Sequence, residues 1–446
     1  MQATFRTCPK LSRGLVFILC AGGIVILSHL FSRDTQVSNP QAVDFFPRGA
    51  GRGGSSTEEL IEQLQSRLRA NPGEWEAYSQ LGLAYLQRAR ETGDSAYYLK
   101  AEKALREALG VDPGNYASLA GMGMLALARH QFQEALEWGE RARQEAPDSP
   151  MAYGVIADAQ VELGKYEDAA VSLQAMVDIR PDLNAYSRIS YLRELYGDLE
   201  GAVLMMEWAV DAGSPNQENA AWTRTQLGNL YFNMGDLDTA EKQYALTLAN
   251  HRGYVYALGG MGKVQAARGN LEAAAGYLEE ASQAAPIPEF IISLVDVYQR
   301  AGDAAAAREQ IELLRAIQQL YEANGVDMDL EMALFNADHG IDMDDTLESA
   351  RQAYARRPSV FAADVLAWVF YAAGRCQEAR SYASLALSLG TRHALFYFHA
   401  GMIEHCLGND ELAVKYLQQA LEINPHFSLR YSQAARRTLE DLTAGY

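Results

Sequence analysis

Between Leu227 and Tyr244 the apolar positions fall on two helical faces separated by a break. Leu227, Gly228 and Tyr231 share one face. Gly235 and Asp236 interrupt the helix, and Ala240 and Tyr244 open a second apolar face. The stretch therefore predicts one helix–turn–helix unit, and most of the chain restates it. A small residue opens the second helix at Ala101, Ala135, Ala169, Ala202, Ala240, Ala274, Ala307, Thr346, Ala379 and Ala413. The successive intervals are 34, 34, 33, 38, 34, 33, 39, 33 and 34 residues. Five residues before most of them stands a glycine, at Gly164, Gly197, Gly235, Gly269, Gly302, Gly374 and Gly408. Twelve residues after many stands a proline, at Pro113, Pro147, Pro181, Pro286, Pro358 and Pro425. The small residue lets two antiparallel helices approach, the glycine supplies a left-handed turn, and the proline ends the second helix.

The ends of the chain follow other patterns. Gly14–Phe31 is an uncharged run of 18 residues, and a helix of that length spans about 27 Å, near the hydrocarbon thickness of a bilayer. Arg6, Lys10 and Arg13 precede it, which places the tip 1–13 on the cytoplasmic side and the rest of the chain across the membrane. The residues after the run, Ser28-His29-Leu30-Phe31, make a poor cleavage site, and Leu19 before Cys20 disfavours lipidation. The expectation is an uncleaved signal anchor. Residues 32–56 are polar and punctuated by Gly and Pro, as in a flexible tether, and the GAGRGG string there lacks the strand–helix setting of a phosphate loop. Helix resumes at Thr57, and 428–446 read as a final amphipathic helix capping the array.

Composition narrows the function classes. An apolar content of 49% excludes a disordered chain, and the Ala- and Leu-rich sequence with 13 prolines predicts an all-α protein. The net charge of −19 argues against a nucleic-acid surface. Arg6, Lys10, Arg13 and Arg33 are the only charges before Asp34, so the remaining chain carries −23 against −19 overall. A basic tip and an acidic body are suited to different surroundings.

At this point the chain resembles the tetratricopeptide repeat family, whose 34-residue unit carries a large residue, Leu-Gly, Tyr, then Ala, Leu or an aromatic, Ala and Pro. Tyr78, Leu81, Gly82, Tyr85, Ala101, Leu105, Ala108 and Pro113 match it, with extra residues near Glu91–Tyr98 lengthening the helices. Leu258, Met261, Gly262, Ala274, Leu278, Ala281 and Pro286 match it again. The resemblance implies an α-solenoid of about ten repeats over 57–427, a right-handed superhelix attached to an N-terminal transmembrane helix. The array is irregular near 313–345, where altered curvature is expected to split it into two lobes.

Enzyme motifs of the HExxH, GxSxG, P-loop and CxxC kinds are missing from the sequence, so the chain is not expected to be an enzyme or to hold a cofactor or metal. The acidic connector Asp327–Asp345 lacks the register of a calcium loop and reads as solvated faces or helix caps. His393, His399 and His405, six residues apart, do not share a helix face and read as surface or groove positions. In the repeat stack Cys376 and Cys406 fall on one rim, where a disulfide is possible on a non-cytoplasmic side; two separate thiols are the alternative. The resemblance places Tyr191, Trp222, Asn229, Tyr256, Lys263, Phe361, Trp368, Tyr371 and Phe398 on the concave face, a groove for a partner peptide. The expected function is a membrane-anchored scaffold of bacterial type. It would bind a protein or peptide on the periplasmic side of the cytoplasmic membrane, in envelope-complex assembly or secretion. Two alternatives stay open: the substrate-docking subunit of a transferase or protease system, and a self-associating structural scaffold.

Overall fold

Every small residue that marks the repeat is buried at a helix crossing, from Ala101 at 0% exposure to Ala307 and Thr346 at 3%. The computed structural model describes residues 56–444 apart from Asn216. The expected tip at 1–13, the anchor at 14–31 and the tether up to residue 55 lie outside the described residues. Among the described residues no helix is long and apolar enough to cross a membrane.

The described chain is all α-helical. It begins with α1 (Thr57–Ala70). Five hairpins follow: α2 (Trp75–Thr92) with α3 (Ala96–Val111), α4 (Tyr116–Ala128) with α5 (Phe132–Glu145), α6 (Pro150–Glu162) with α7 (Tyr166–Ile179), α8 (Leu183–Leu195) with α9 (Leu199–Ala212), and α10 (Glu218–Asn233) with α11 (Leu237–Asn250). We call these the first arc. The second arc comprises α12 (Val255–Ala267) with α13 (Leu271–Ala284), α14 (Pro288–Ala301) with α15 (Ala304–Ala323), α16 (Asp329–His339) with α17 (Met343–Arg356), α18 (Val360–Ala372) with α19 (Cys376–Ala386), and α20 (Ala394–Cys406) with α21 (Asp410–Ile423). The cap α22 (Ser432–Ala444) closes the chain.

Packing within a hairpin follows from residue size. A Cβ on Gly228 of α10 would lie 2.5 Å from the Tyr244 ring of α11, so only glycine lets the fully buried tyrosine cross there. Asp198, Asp236 and Asp303, each one residue after a tip glycine, accept backbone N–H bonds and cap the second helix. The over-long segment near 313–324 is the 20-residue α15. Its Leu314 and Ile317 join Ile291 and Val295 of α14 and Met332 and Phe335 of α16 in one apolar cluster.

The irregular region does not split the array into lobes, because the described residues form one unit and the two arcs lie side by side. His130 Nδ1 lies 2.6 Å from the Asp327 carbonyl, which can only accept, so that nitrogen carries the proton. Arg357 Nε donates to Glu162 at 2.6 Å, and Val360 N–H donates to the Tyr166 hydroxyl at 2.8 Å. Thr391 donates to the Leu195 carbonyl, and Asn424 Nδ2 donates to the Phe232 carbonyl at 2.8 Å. The side chains of His130, Arg357, Thr391 and Asn424 bridge sequence separations of 197, 195, 196 and 192 residues. A near-constant separation means a parallel register: tips of first-arc hairpins rest on connectors of the second arc. The chain closes one turn in just under six repeats, and successive turns touch.

Candidate functional site

The first helices of the hairpins supply most of the lining of a half-open cavity of about 1310 Å³. Its wall is built from α6, α8, α10, α12, α14, α18 and α20 together with the segment from Asn424 to Arg436. Positions one helical turn apart on a first helix share a face, so the register of the repeat decides which side chains reach the cavity. The position eleven residues before the small residue carries Asp158, Tyr191, Asn229, Lys263 and Asp296, and all five line it.

Of the residues expected on the concave face, Tyr191, Trp222, Asn229, Lys263 and Phe361 line this cavity. Asn229 is partly committed to structure, since its Oδ1 accepts from the Tyr244 hydroxyl at 2.7 Å and its Nδ2 donates to Gln226 at 3.1 Å. Lys263 pairs with Glu289 of the next unit, which holds that carboxyl below its usual range. Phe361 packs edge-on against Phe396 and His393.

The remaining four, Tyr256, Trp368, Tyr371 and Phe398, do not line this cavity. Trp368 and Phe398 are 5% and 1% exposed and belong to the core, because Tyr431 from the segment before α22 covers them with ring centroids at 5.4 and 5.0 Å. Tyr371 stacks on Trp368 and packs against the same core. Tyr256 closes the gap between arcs: its hydroxyl donates to the Arg90 carbonyl at 3.2 Å, and burial raises its pKa well above that of a free tyrosine. Tyr431 therefore covers the wall at Trp368 and Phe398, while Phe361 and His393 at the starts of α18 and α20 stay on the cavity.

The histidines and acids also find definite places. His399, expected at the surface or groove, is fully buried, 2.9 Å from Asp364 and stacked on Trp368. His393 lines the cavity, and burial lowers its pKa to about 4. The acidic connector is not simply solvated: Asp327 and Asp329 both pair with Arg356, and Asp338 accepts from Trp368 Nε1 and the Tyr431 hydroxyl, each at 2.7 Å. Among the described residues no group of three His, Cys, Asp or Glu side chains is placed to hold a metal. Cys376 and Cys406 are joined as a disulfide with Cα atoms 6.3 Å apart, linking the start of α19 to the end of α20.

Sequence reasoning missed two features of the cavity and one beside it. Arg188 of α8 forms a two-point contact with Asp158 of α6, at 2.9 and 2.8 Å. Glu194 Oε1 accepts from Asn233 Nδ2 at 3.1 Å, and burial raises the carboxyl's pKa with that bond opposing it. Arg430 reaches α14 and α16 from the C-terminal segment. The first two stand in registers the repeat already defines, so counting back from Ala169 and Ala202 finds them; the third has no periodic signal.

Models of one family, described as tetratricopeptide repeat, match residues 98–150, 126–192, 225–286 and 394–427. No curated protein matches the chain. Among solved structures, the chain is similar to PilW, described as a widely conserved type IV pilus biogenesis factor, at 16% identity over 45% of this chain and 92% of that one, TM-score 0.38. It is also similar to a tetratricopeptide repeat protein from Parabacteroides merdae, at 16% identity over 58% and 98%, TM-score 0.35. The hetero-tetramer Cut9–Hcn1 of the APC/C gives 14% identity over 86% and 82%, TM-score 0.39. At these scores the neighbours carry no argument about partner or process.

Proposed function

The chain is a tetratricopeptide repeat protein, and we propose that it is a membrane-anchored scaffold that receives a segment of another protein in the cavity inside its closed superhelical turn. Repeats of this kind form protein-interaction surfaces, each unit adding a strip to one continuous wall. The observation that carries the reading is the cavity itself. It holds about 1310 Å³, large enough for a peptide segment, and its wall mixes apolar side chains with the amides and charges that fix orientation. Its work is presentation of a bound segment, with no chemical step.

The anchor is supported by the uncharged run Gly14–Phe31 behind a basic tip. The disulfide between Cys376 and Cys406 suits an oxidising compartment, which agrees with a body on the extracytoplasmic side and with a role in envelope assembly or secretion. Affinity capture from detergent-solubilised membranes tests the scaffold reading. One stoichiometric partner, lost on Trp222→Ala or Gln226→Ala, supports it; a partner retained by both variants contradicts it. Topology is read with a membrane-impermeant maleimide on Ser55→Cys in intact spheroplasts, where labelling is expected and protection overturns the orientation.

A further inference from the structure

The walls contributed by the two arcs are not equally free. On the second arc Arg430 donates to Asp296 Oδ1 at 3.2 Å, Gln299 Oε1 at 2.7 Å and the Asp338 carbonyl at 3.1 Å. Beside it the Tyr431 hydroxyl donates to Asp338 Oδ1. The chain's own C-terminal segment thus lays a cation and an aromatic ring against acceptors on the inner helices. Gln299 and Asp338 occupy the position eight residues before Ala307 and Thr346. On α8 that position, eight residues before Ala202, is Glu194.

Glu194 has the acceptor without the cation. One of its oxygens accepts from Asn233, and among the described residues no lysine or arginine pairs with it. The basic residues around the cavity are already engaged elsewhere. Arg90 pairs with Glu218, Arg188 with Asp158, and Lys263 with Glu289. Arg268 holds Asp238 and Glu241, Arg300 donates to Gln433, and Arg436 donates to the Pro425 carbonyl. A carboxylate in a confined cavity is costly without a partner, and a cation delivered to it recovers that cost.

The adjoining wall is built to hold a chain beside that carboxylate. Asn219, Trp222, Gln226, Asn229 and Asn233 fall at three- and four-residue steps along α10, and all five line the cavity. From Asn219 to Asn233 the stripe rises 14 residues, about 21 Å along a helix. At its start Asn219 Oδ1 is enclosed without a hydrogen-bond donor. Next to it Trp222, which makes no hydrogen bond to the protein among the described residues, offers a ring face that suits a cation or an aliphatic stem. Free acceptors at both ends of the stripe call for a ligand rich in donors.

We infer that Glu194 receives a lysine or arginine side chain of a partner protein segment lying along α10, an assignment that rests on reading the cavity as the partner-binding surface. The segment is an extended stretch with a basic residue at the Asn233 end, and it reproduces on the first arc what Arg430 does on the second.

Purified full-length protein in detergent, overlaid on an array of randomised decapeptides, tests this. The bound peptides are expected to be enriched in Lys and Arg over Asp and Glu. Glu194→Gln, which keeps the acceptor for Asn233, is expected to weaken them about tenfold, the value of one charge-assisted bond. Glu194→Asp retains the preference and Glu194→Lys shifts it towards acidic peptides, which separates charge from shape. Bound peptides without basic bias, or a basic bias unchanged by Glu194→Gln while Trp222→Ala abolishes binding, overturn the Glu194 assignment and leave the cavity reading standing. Binding indifferent to both Glu194 and Trp222, or no peptide bound at all, overturns both.

Discussion

The tip glycines of the two arcs look alike and do different things. Gly164, Gly197 and Gly235 of the first arc and Gly269, Gly374 and Gly408 of the second all have φ between 69° and 83°. A Cβ on Gly164 would lie 2.6 Å from the Pro358 carbonyl oxygen, and one on Gly197 would lie 2.4 Å from that of Gly390. On Gly269, Gly374 or Gly408 it would meet nothing within 4 Å. In the second arc the glycine only turns the chain. In the first arc it also clears room for the neighbouring turn of the superhelix. His130 sharpens the contrast, for it holds the tip position of the second hairpin at φ 60° and spends its ring nitrogen on the Asp327 carbonyl across the arcs. A strained histidine persists there because the contact between turns holds it.

The largest test of this difference is a matched pair of substitutions. Gly408→Ala bears only the left-handed backbone penalty, about 1 kcal/mol. Gly197→Ala adds a clash with backbone that cannot swing aside, for a total of roughly 3–4 kcal/mol. Urea midpoints at unchanged slope report both, and equal losses would show that the arcs do not touch at Gly197.

Next in size is the disulfide, which lies wholly within the second arc. It closes a loop across a sequence separation of 30 residues, and chain entropy gives such a cross-link about 3.6 kcal/mol. Cys376→Ser with Cys406→Ser should lower stability by that order while leaving the radius of gyration from X-ray scattering unchanged. Expansion would mean that the disulfide also holds the arcs together.

Arg357 spans the arcs, pairing with Glu162, approaching Glu331 at 3.5 Å and lying over the Phe132 ring. Arg357→Met keeps the stem but strands two carboxylates and should cost about 2 kcal/mol. Arg375, whose partner Glu378 is one helical turn away in its own hairpin, gives the control: Arg375→Met should cost about 0.5 kcal/mol or less. A comparable loss at both positions in thermal unfolding would remove the special place of the inter-arc pair.

The last test is pH dependence at the cavity. His393 titrates at about 4 in the folded protein because burial opposes its charge, with the Asp364 carboxylate favouring the charge and His399 opposing it. An unfolded histidine titrates at about 6.5. Between these values the unfolded chain binds more protons, so stability is complete above pH 6.5 and falls as the pH drops towards 4. The contribution lost by pH 5 is about 2 kcal/mol. His393→Gln should flatten that part of the stability profile, and an unchanged slope would move the titration elsewhere.

How far the sequence carries follows from the same contrast. The hairpins were legible because the small residue, the glycine and the proline each act within one unit, and the resulting register predicts Tyr191, Asn229 and Lys263 on the inner wall. The closure of the turn was not legible. Apart from the Arg357–Glu162 pair and the Tyr166 hydroxyl, its contacts use the carbonyls of Asp327, Leu195 and Phe232 and bare glycines, groups that every residue or no side chain supplies. Trp368 and Phe398 stand at inner-helix positions too, but Tyr431 covers them, and no repeat register announces a covering segment outside the repeats.

Hydrogen–deuterium exchange at the hairpin tips measures the central claim most directly, because all tips share the same internal backbone bonds. Gly164 N–H donates to Val161 and Gly197 N–H to Glu194, as Gly374 N–H does to Tyr371 and Gly408 N–H to His405. If the arcs touch, tips 163–166 and 196–198 exchange at least about tenfold more slowly than tips 373–376 and 407–410. Equal exchange at the four tips would contradict the closed turn and the cavity it encloses.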